Sequence, residues 1–130
     1  MTDKAPSISQ REIISFLKDS ENYPAETEMV DMHETHGAMV FLAGDIAYKI
    51  KKAVKFPYMD FSTLAKRRHF CEREIAINHP AAPEIYLGLT TITKEPGEKL
   101  AFDGPGPVVE WAVKMKRFDQ EMMLDQLPHS

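Results

Sequence analysis

Two lysines in one short predicted strand and a glutamate in the next predicted helix are the residues best suited to chemistry. Side chains alternate along a strand, so Lys49 and Lys51 are expected on one face. An ammonium group on a rigid strand can hold a phosphate, and a helical carboxylate can keep it in position. Glu74 is adjacent to Ile75 on the apolar stripe of the helix, whereas Glu72 lies ~160° from Glu74 around it at ~100° per residue. Glu74 is therefore the predicted partner; the alternative is a surface lysine and carboxylates that pair within the helix.

The sequence favours neither a metal site nor a reactive thiol. His33 and His36 are one residue short of the zinc-binding His-Glu-x-x-His pattern, and in a strand they would point to opposite faces. The single cysteine, Cys71, lies on the apolar stripe of the predicted helix, which favours an inert buried thiol. One cysteine also excludes an intrachain disulfide.

These residues must be positioned by a mixture of helices and strands. Ser9 and Glu12 form a capping box that begins a helix, which is expected to end near residues 19–22. The pattern predicts an α+β fold in which a mainly antiparallel sheet of about five strands packs on one main helix. The other predicted elements are strands near 29–32, at 39–42 and at 46–54, a helix at 64–78, strands at 85–93 and 108–115 with a possible short strand at 99–102, and a short helix at 118–127.

Composition indicates one soluble domain. The chain has 130 residues, of which 43% are hydrophobic and 28% charged, as in ordinary globular domains. We expect a single domain over residues 9–130 after a flexible stretch at 1–8. No apolar run approaches the ~18 residues of a membrane span, and no signal-peptide stretch is present. The sequence therefore predicts a cytoplasmic protein without a membrane partner.

The charge of the chain makes nucleic acid an unlikely partner, since the formal net charge is −4. Eight of the sixteen basic residues nevertheless fall between Lys49 and Arg73. Lys66, Arg67 and Arg73 lie mostly off the apolar stripe of the helix, which favours a solvated charged face. Binding of nucleic acid by this stretch is kept as a minor alternative.

Several sequence blocks resemble the aminoglycoside-phosphotransferase-like domain, a relative of the protein kinases. More narrowly, they resemble the N-terminal part of bacterial proteins that join such a domain to a P-loop ATPase domain. The blocks are Glu-Thr-His at 34–36, Val-Phe-Leu-Ala-Gly-Asp-Ile-Ala-Tyr-Lys-Ile-Lys-Lys at 40–52, Phe-Pro-Tyr-Met-Asp-Phe-Ser-Thr-Leu at 56–64, Cys-Glu-Arg-Glu-Ile-Ala-Ile-Asn at 71–78, Tyr-Leu-Gly at 86–88 and Val-Lys-Met-Lys-Arg-Phe at 113–118.

The resemblance implies a kinase-like N-lobe that binds ATP, with Lys49 on the phosphates, Lys51 as the alternative and Glu74 as the partner. It also implies that the turn between the first two strands covers the phosphates and that the strand end near 115 forms a hinge for adenine. The turn has only one glycine, so the alternative is a plain β-turn without a phosphate-binding role. For the hinge, the alternative is an ordinary connection between a strand and a helix. The residues implied are Thr35, His36 and Gly37 in the turn and Met115, Lys116 and Phe118 in the hinge.

The sequence lacks the catalytic-loop and metal-binding aspartates that a kinase carries in its C-lobe. We therefore expect a truncated or detached N-lobe that holds part of an ATP site, needs a C-lobe for Mg²⁺, and transfers no phosphoryl group alone. The alternative is a non-catalytic interaction module that binds a C-lobe-bearing partner or a second copy through an exposed apolar face. The residues expected on that face are Met115, Phe118, Met122, Met123 and Leu127.

Overall fold

A computed structural model describes residues 9–23 and 29–116. The segments predicted as a flexible start, at 1–8, and as a short helix, at 118–127, lie outside the described residues. The described elements are helices α1 (Gln10–Lys18) and α2 (Leu64–Asn78), a 3-10 turn at Ser20–Asn22, and strands β1 (Val30–Glu34), β2 (Ala38–Ala43), β3 (Ile46–Lys51), β4 (Lys55–Phe56), β5 (Met59–Asp60), β6 (Tyr86–Glu95), β7 (Lys99–Phe102) and β8 (Val108–Lys116).

Six of the described strands form one antiparallel sheet in the order β1-β2-β3-β8-β6-β7. The predicted α+β class and antiparallel pairing are confirmed. The turn between β2 and β3 depends on Gly44, whose φ of 62° is a left-handed conformation that glycine adopts without strain. Beside this sheet, β4 and β5 form a separate two-stranded hairpin.

The possible short strand at 99–102 is present and pairs with β6, so the described part of the main sheet has six strands against the predicted number of about five. The predicted end of the third strand was wrong. The third strand ends at Lys51 rather than at residue 54. Pro57 lies in the turn that joins β4 to β5. A two-residue ladder is too short to leave a period-two signal in the sequence.

The sheet carries a hydrophobic core on each face. On one face, Ile13 and Leu17 of α1 pack with Tyr48 and Ile50 of β3. On the other face, Cys71 of α2 packs with residues that include Ala47 of the same strand. Alternation along β3 therefore separates the two cores. No helix among the described residues is long and apolar enough to cross a membrane.

Helix α2 follows the sequence signals at both ends. The Thr63 hydroxyl caps its first turn by accepting a hydrogen bond from the Lys66 amide. The helix ends at Asn78, two residues before Pro80. Its buried residues are Arg67, Cys71 and Glu74. The placement of Arg67 off the buried stripe was wrong, because its guanidinium is held inside the fold by an ion pair.

Candidate functional site

The structure brings Lys49, Lys51 and Glu74 together in a buried cluster under α2. Lys49 Nζ donates to Glu74 Oε2 at 3.1 Å, and Lys51 Nζ donates to Glu74 Oε1 at 2.5 Å. Strand β3 supplies both lysines from one face, and α2 supplies the carboxylate from its packed stripe. Lys51 also lies over the Phe61 ring, 5.6 Å from its centroid. Both candidate lysines thus contact the predicted glutamate, and Glu74 holds them with one oxygen each.

Burial distinguishes the two lysines. The side chain of Lys49 is 7% exposed, whereas that of Lys51 is fully buried. Desolvation lowers the pKa of Lys49, and the nearby charge of Glu74 opposes that shift. Among the described residues, Lys49 uses only one of its three N–H donors, on Glu74. Lys49 is therefore the better placed of the two for contact with an incoming anion.

A second buried charge cluster adjoins the end of β3. Arg67 Nε donates to Glu110 Oε1 at 2.8 Å, and Gln10 Nε2 donates to Glu110 Oε2 at 2.7 Å. Gln10 also donates to the Lys51 carbonyl at 2.8 Å and accepts from the Ala53 amide at 2.8 Å. The side chain of Gln10 thus takes the place of a strand partner where β3 ends, directly after Lys51.

Sequence analysis missed this second cluster. Glu110 is the one charged residue within the apolar run at 108–113, and a carboxylate there is a signal of a buried ion pair. Arg67 lies four residues before Cys71 and seven before Glu74, which places it on the same helix face. Both signals were present in the sequence, although neither identifies the partner.

The predicted phosphate-covering turn joins β1 to β2 as a tight turn held within the fold. The Thr35 amide donates to the Ala38 carbonyl at 2.9 Å. The His36 ring stacks on Phe56 with 4.6 Å between centroids, and His36 Nε2 lies 2.6 Å from the Tyr58 hydroxyl. Gly37 is close to a side chain of β5, so a Cβ there would lie 2.7 Å from Met59 Sδ. The β-sheet register places this turn beside Lys51 rather than Lys49, since Ala38 faces Lys51.

Of the predicted hinge residues, the structure describes Met115 and Lys116. Met115 is fully buried in the core beneath α2, so its assignment to an exposed apolar surface was wrong. It faces Ala47 on one side and Tyr86 on the other, within the sheet. The Lys116 side chain is exposed, but its amide donates to the Ile85 carbonyl at 2.8 Å. The remaining candidates lie outside the described residues: Phe118, Met122, Met123 and Leu127.

Most of the basic stretch at 49–73 is paired with carboxylates. Besides the buried lysines and Arg67, three basic residues form ion pairs nearer the surface: Lys52 with Glu34, Lys66 with Asp60 and Arg68 with Glu72. Three of the paired carboxylates lie outside residues 49–73, so a count of charges within that stretch overstated the local positive charge. They are Glu34, Glu74 and Glu110.

Cys71 is buried as predicted, with no exposed surface. Burial raises the pKa of its thiol to about 12, so the thiol is protonated at neutral pH and is a poor nucleophile. Within the described ranges, no group of three or more histidine, cysteine, aspartate or glutamate side chains is arranged to hold a metal ion. The chemistry available at the site is therefore that of the buried ammonium groups and their carboxylate.

Comparison with known proteins gives relatives without an assigned activity. Uncharacterized proteins of two Mycobacterium tuberculosis strains and of Mycobacterium bovis are each 36% identical to the chain over 95 residues. The match covers 73% of this chain, and the chain spans only 17% of the length of these curated relatives. No family model matches the chain, and no solved structure matches it.

Proposed function

We propose that this chain forms the nucleotide-binding lobe of an ATP-dependent phosphotransferase related to the aminoglycoside-phosphotransferase-like kinases. The observation that carries the proposal is the buried cluster in which Glu74 of α2 holds Lys49 and Lys51 of β3. Burying a lysine costs free energy unless it is paired, and a buried ion pair is weak evidence of a purely stabilising role. A phosphate-binding role accounts for both the lysines and their carboxylate.

In this proposal the two lysines have different tasks. Lys49, with spare donors and the larger exposed fraction, contacts the ATP phosphates. Glu74 orients the Lys49 ammonium, and Lys51, 2.5 Å from the other oxygen of the same carboxylate, fixes Glu74. Mg²⁺ and the groups that transfer the phosphoryl group come from a C-lobe. The chain alone is then expected to bind nucleotide weakly and to lack transferase activity.

Titration of the chain with Mg-ATP by isothermal calorimetry tests the lysine assignment. Lys49→Met removes the ammonium while Lys51 still pairs with Glu74, so the variant is expected to fold and to bind ATP at least tenfold more weakly. Lys52→Met is the matched control, since Lys52 is the next lysine but one and pairs with Glu34 at the surface. The control is expected to keep the wild-type affinity within about twofold. Equal affinity of wild type and Lys49→Met would reject the proposal.

A further inference from the structure

One buried hydroxyl beside the lysine cluster has no hydrogen-bond partner. Tyr86 is 3% exposed, and its hydroxyl is the single buried side-chain polar atom without a partner in the described parts of the chain. An unmade hydrogen bond in an apolar interior destabilises a fold, and native proteins contain few. The Tyr86 hydroxyl therefore calls for an explanation in terms of something that the chain binds.

The sheet places this hydroxyl on the same face as the lysine cluster. Tyr86 begins β6 and faces Met115 of β8, which in turn faces Ala47 of β3. Lys49 is two residues from Ala47 along β3, so both side chains project toward α2. The Tyr86 ring belongs to the core beneath that helix. Burial raises the pKa of Tyr86, and the negative charge of Glu74 is near enough to add to that shift.

A buried tyrosine on the opposite face of the sheet shows how the fold treats a hydroxyl that has only a structural role. Tyr23 is 7% exposed, and its hydroxyl donates to the Leu17 carbonyl. The chain thus provides an acceptor for the Tyr23 hydroxyl on the α1 side and none, among the described residues, for the Tyr86 hydroxyl on the α2 side.

The groups around Tyr86 define what kind of partner is missing. A lysine ammonium only donates, and Lys49 has spare N–H donors. The two oxygens of Glu74 already accept from Lys49 and Lys51. An acceptor oxygen would satisfy both the Tyr86 hydroxyl and the spare donors of Lys49, and the positive charge of Lys49 favours an anion.

The geometry points to Tyr86 as a second donor for the anion held by Lys49, with the hydroxyl and the ammonium both bonded to the oxygens of one phosphate group. This inference rests on the proposed function, which supplies the phosphate as part of the nucleotide. It adds a neutral donor to the site and makes the unpartnered hydroxyl a binding group that is satisfied only in the complex.

Removal of the hydroxyl tests the inference, because its effects on stability and on affinity should have opposite signs. Tyr86→Phe is expected to leave the melting temperature of the ligand-free chain unchanged or to raise it, since an unpaired buried group is removed. It is expected to weaken binding of Mg-ATP and of inorganic tripolyphosphate by about tenfold, measured by calorimetry. Tyr23→Phe is the matched control: it should lower the melting temperature and leave both affinities unchanged.

The outcomes separate this inference from the proposed function. If Lys49→Met abolishes Mg-ATP binding but Tyr86→Phe binds like wild type, the Tyr86 assignment is overturned and the lysine assignment stands. If Tyr86→Phe weakens tripolyphosphate binding and Mg-ATP binds no more tightly than tripolyphosphate, the hydroxyl assignment stands and the nucleotide function fails. A melting temperature lowered as in Tyr23→Phe would show a partner within the chain and overturn the inference. Absence of binding of either ligand to wild type would overturn both.

Discussion

Arg67 of α2 and Glu110 of β8 are 43 residues apart in sequence and form a buried ion pair, with Arg67 Nε 2.8 Å from Glu110 Oε1. The other oxygen of Glu110 accepts from Gln10 of α1 at 2.7 Å. Because α1 and α2 pack on opposite faces of the sheet, this carboxylate joins the two layers at the end of β3. The same end of β3 carries Lys51, so the ion pair is adjacent to the candidate phosphate site.

Loss of the Arg67–Glu110 pair should be strongly destabilising. Arg67→Met leaves Glu110 charged and fully buried, with Gln10 as its remaining side-chain donor. Breaking a buried pair from one side typically costs about 3–5 kcal/mol, which we expect here for the free energy of unfolding measured with urea. A loss below about 1 kcal/mol would show that the pair contributes little.

A neighbouring arginine and a double variant provide the controls. Arg68 forms an exposed ion pair with Glu72, four residues along the same helix, so Arg68→Met should change stability by no more than about 0.5 kcal/mol. Replacing both buried charges, as in Arg67→Met with Glu110→Leu, should recover much of the loss because no uncompensated charge remains. Equal losses in the single and double variants would contradict this explanation.

The local parts of the fold were predictable from the sequence. Helix α2 was predicted with its observed bounds, since Thr63 before it and Pro80 after it are strong local signals. Period-two alternation placed Lys49 and Lys51 on one face, and helical periodicity placed Glu74 toward the sheet. These predictions succeeded because each depends on residues close together in the chain.

The parts that failed depend on distant residues. Arg67 is charged and was assigned to solvent, but its partner Glu110 reaches it through the pairing of β8 with β3. Met115 was assigned to an exposed face, although strands on both sides and α2 above cover it. The pattern of side-chain types within one helix or strand indicates which way a side chain points. It does not show which residues from distant parts of the chain lie in that direction.

Gln10 should fix the end of β3 behind Lys51. Its side chain donates to the Lys51 carbonyl and accepts from the Ala53 amide, both at 2.8 Å. Gln10→Ala is therefore expected to lower the free energy of unfolding by about 1–2 kcal/mol and to speed hydrogen exchange of the Ala53 amide. The comparison is with Arg11→Ala, an exposed neighbour in the same helix, which should leave that amide unaffected. Unchanged exchange at Ala53 in Gln10→Ala would show that the bond does not hold this segment.

Asp60 should make the stability of the chain depend on pH in the acid range. Hydrogen bonds from the Lys66 ammonium, and then from the Ser62 hydroxyl and amide, hold the pKa of Asp60 below its usual value of 3.8. Since the folded-state pKa is the lower one, the unfolded chain binds the proton first. The contribution of Asp60 is present above about pH 4 and is lost as the pH falls through the folded-state pKa.

The test compares wild type with Asp60→Asn by urea unfolding at pH 7, 5 and 3. Asp60→Asn should have the lower urea midpoint at pH 7 and 5, because Asn cannot pair with Lys66 as a charge. The gap should narrow at pH 3, where the Asp60 carboxylate of the unfolded chain takes up a proton while that of the folded chain stays ionised. Asp45→Asn, in the turn between β2 and β3, controls for the loss of one exposed negative charge. A gap that is constant from pH 7 to pH 3 would mean that the charge of Asp60 does not contribute to stability.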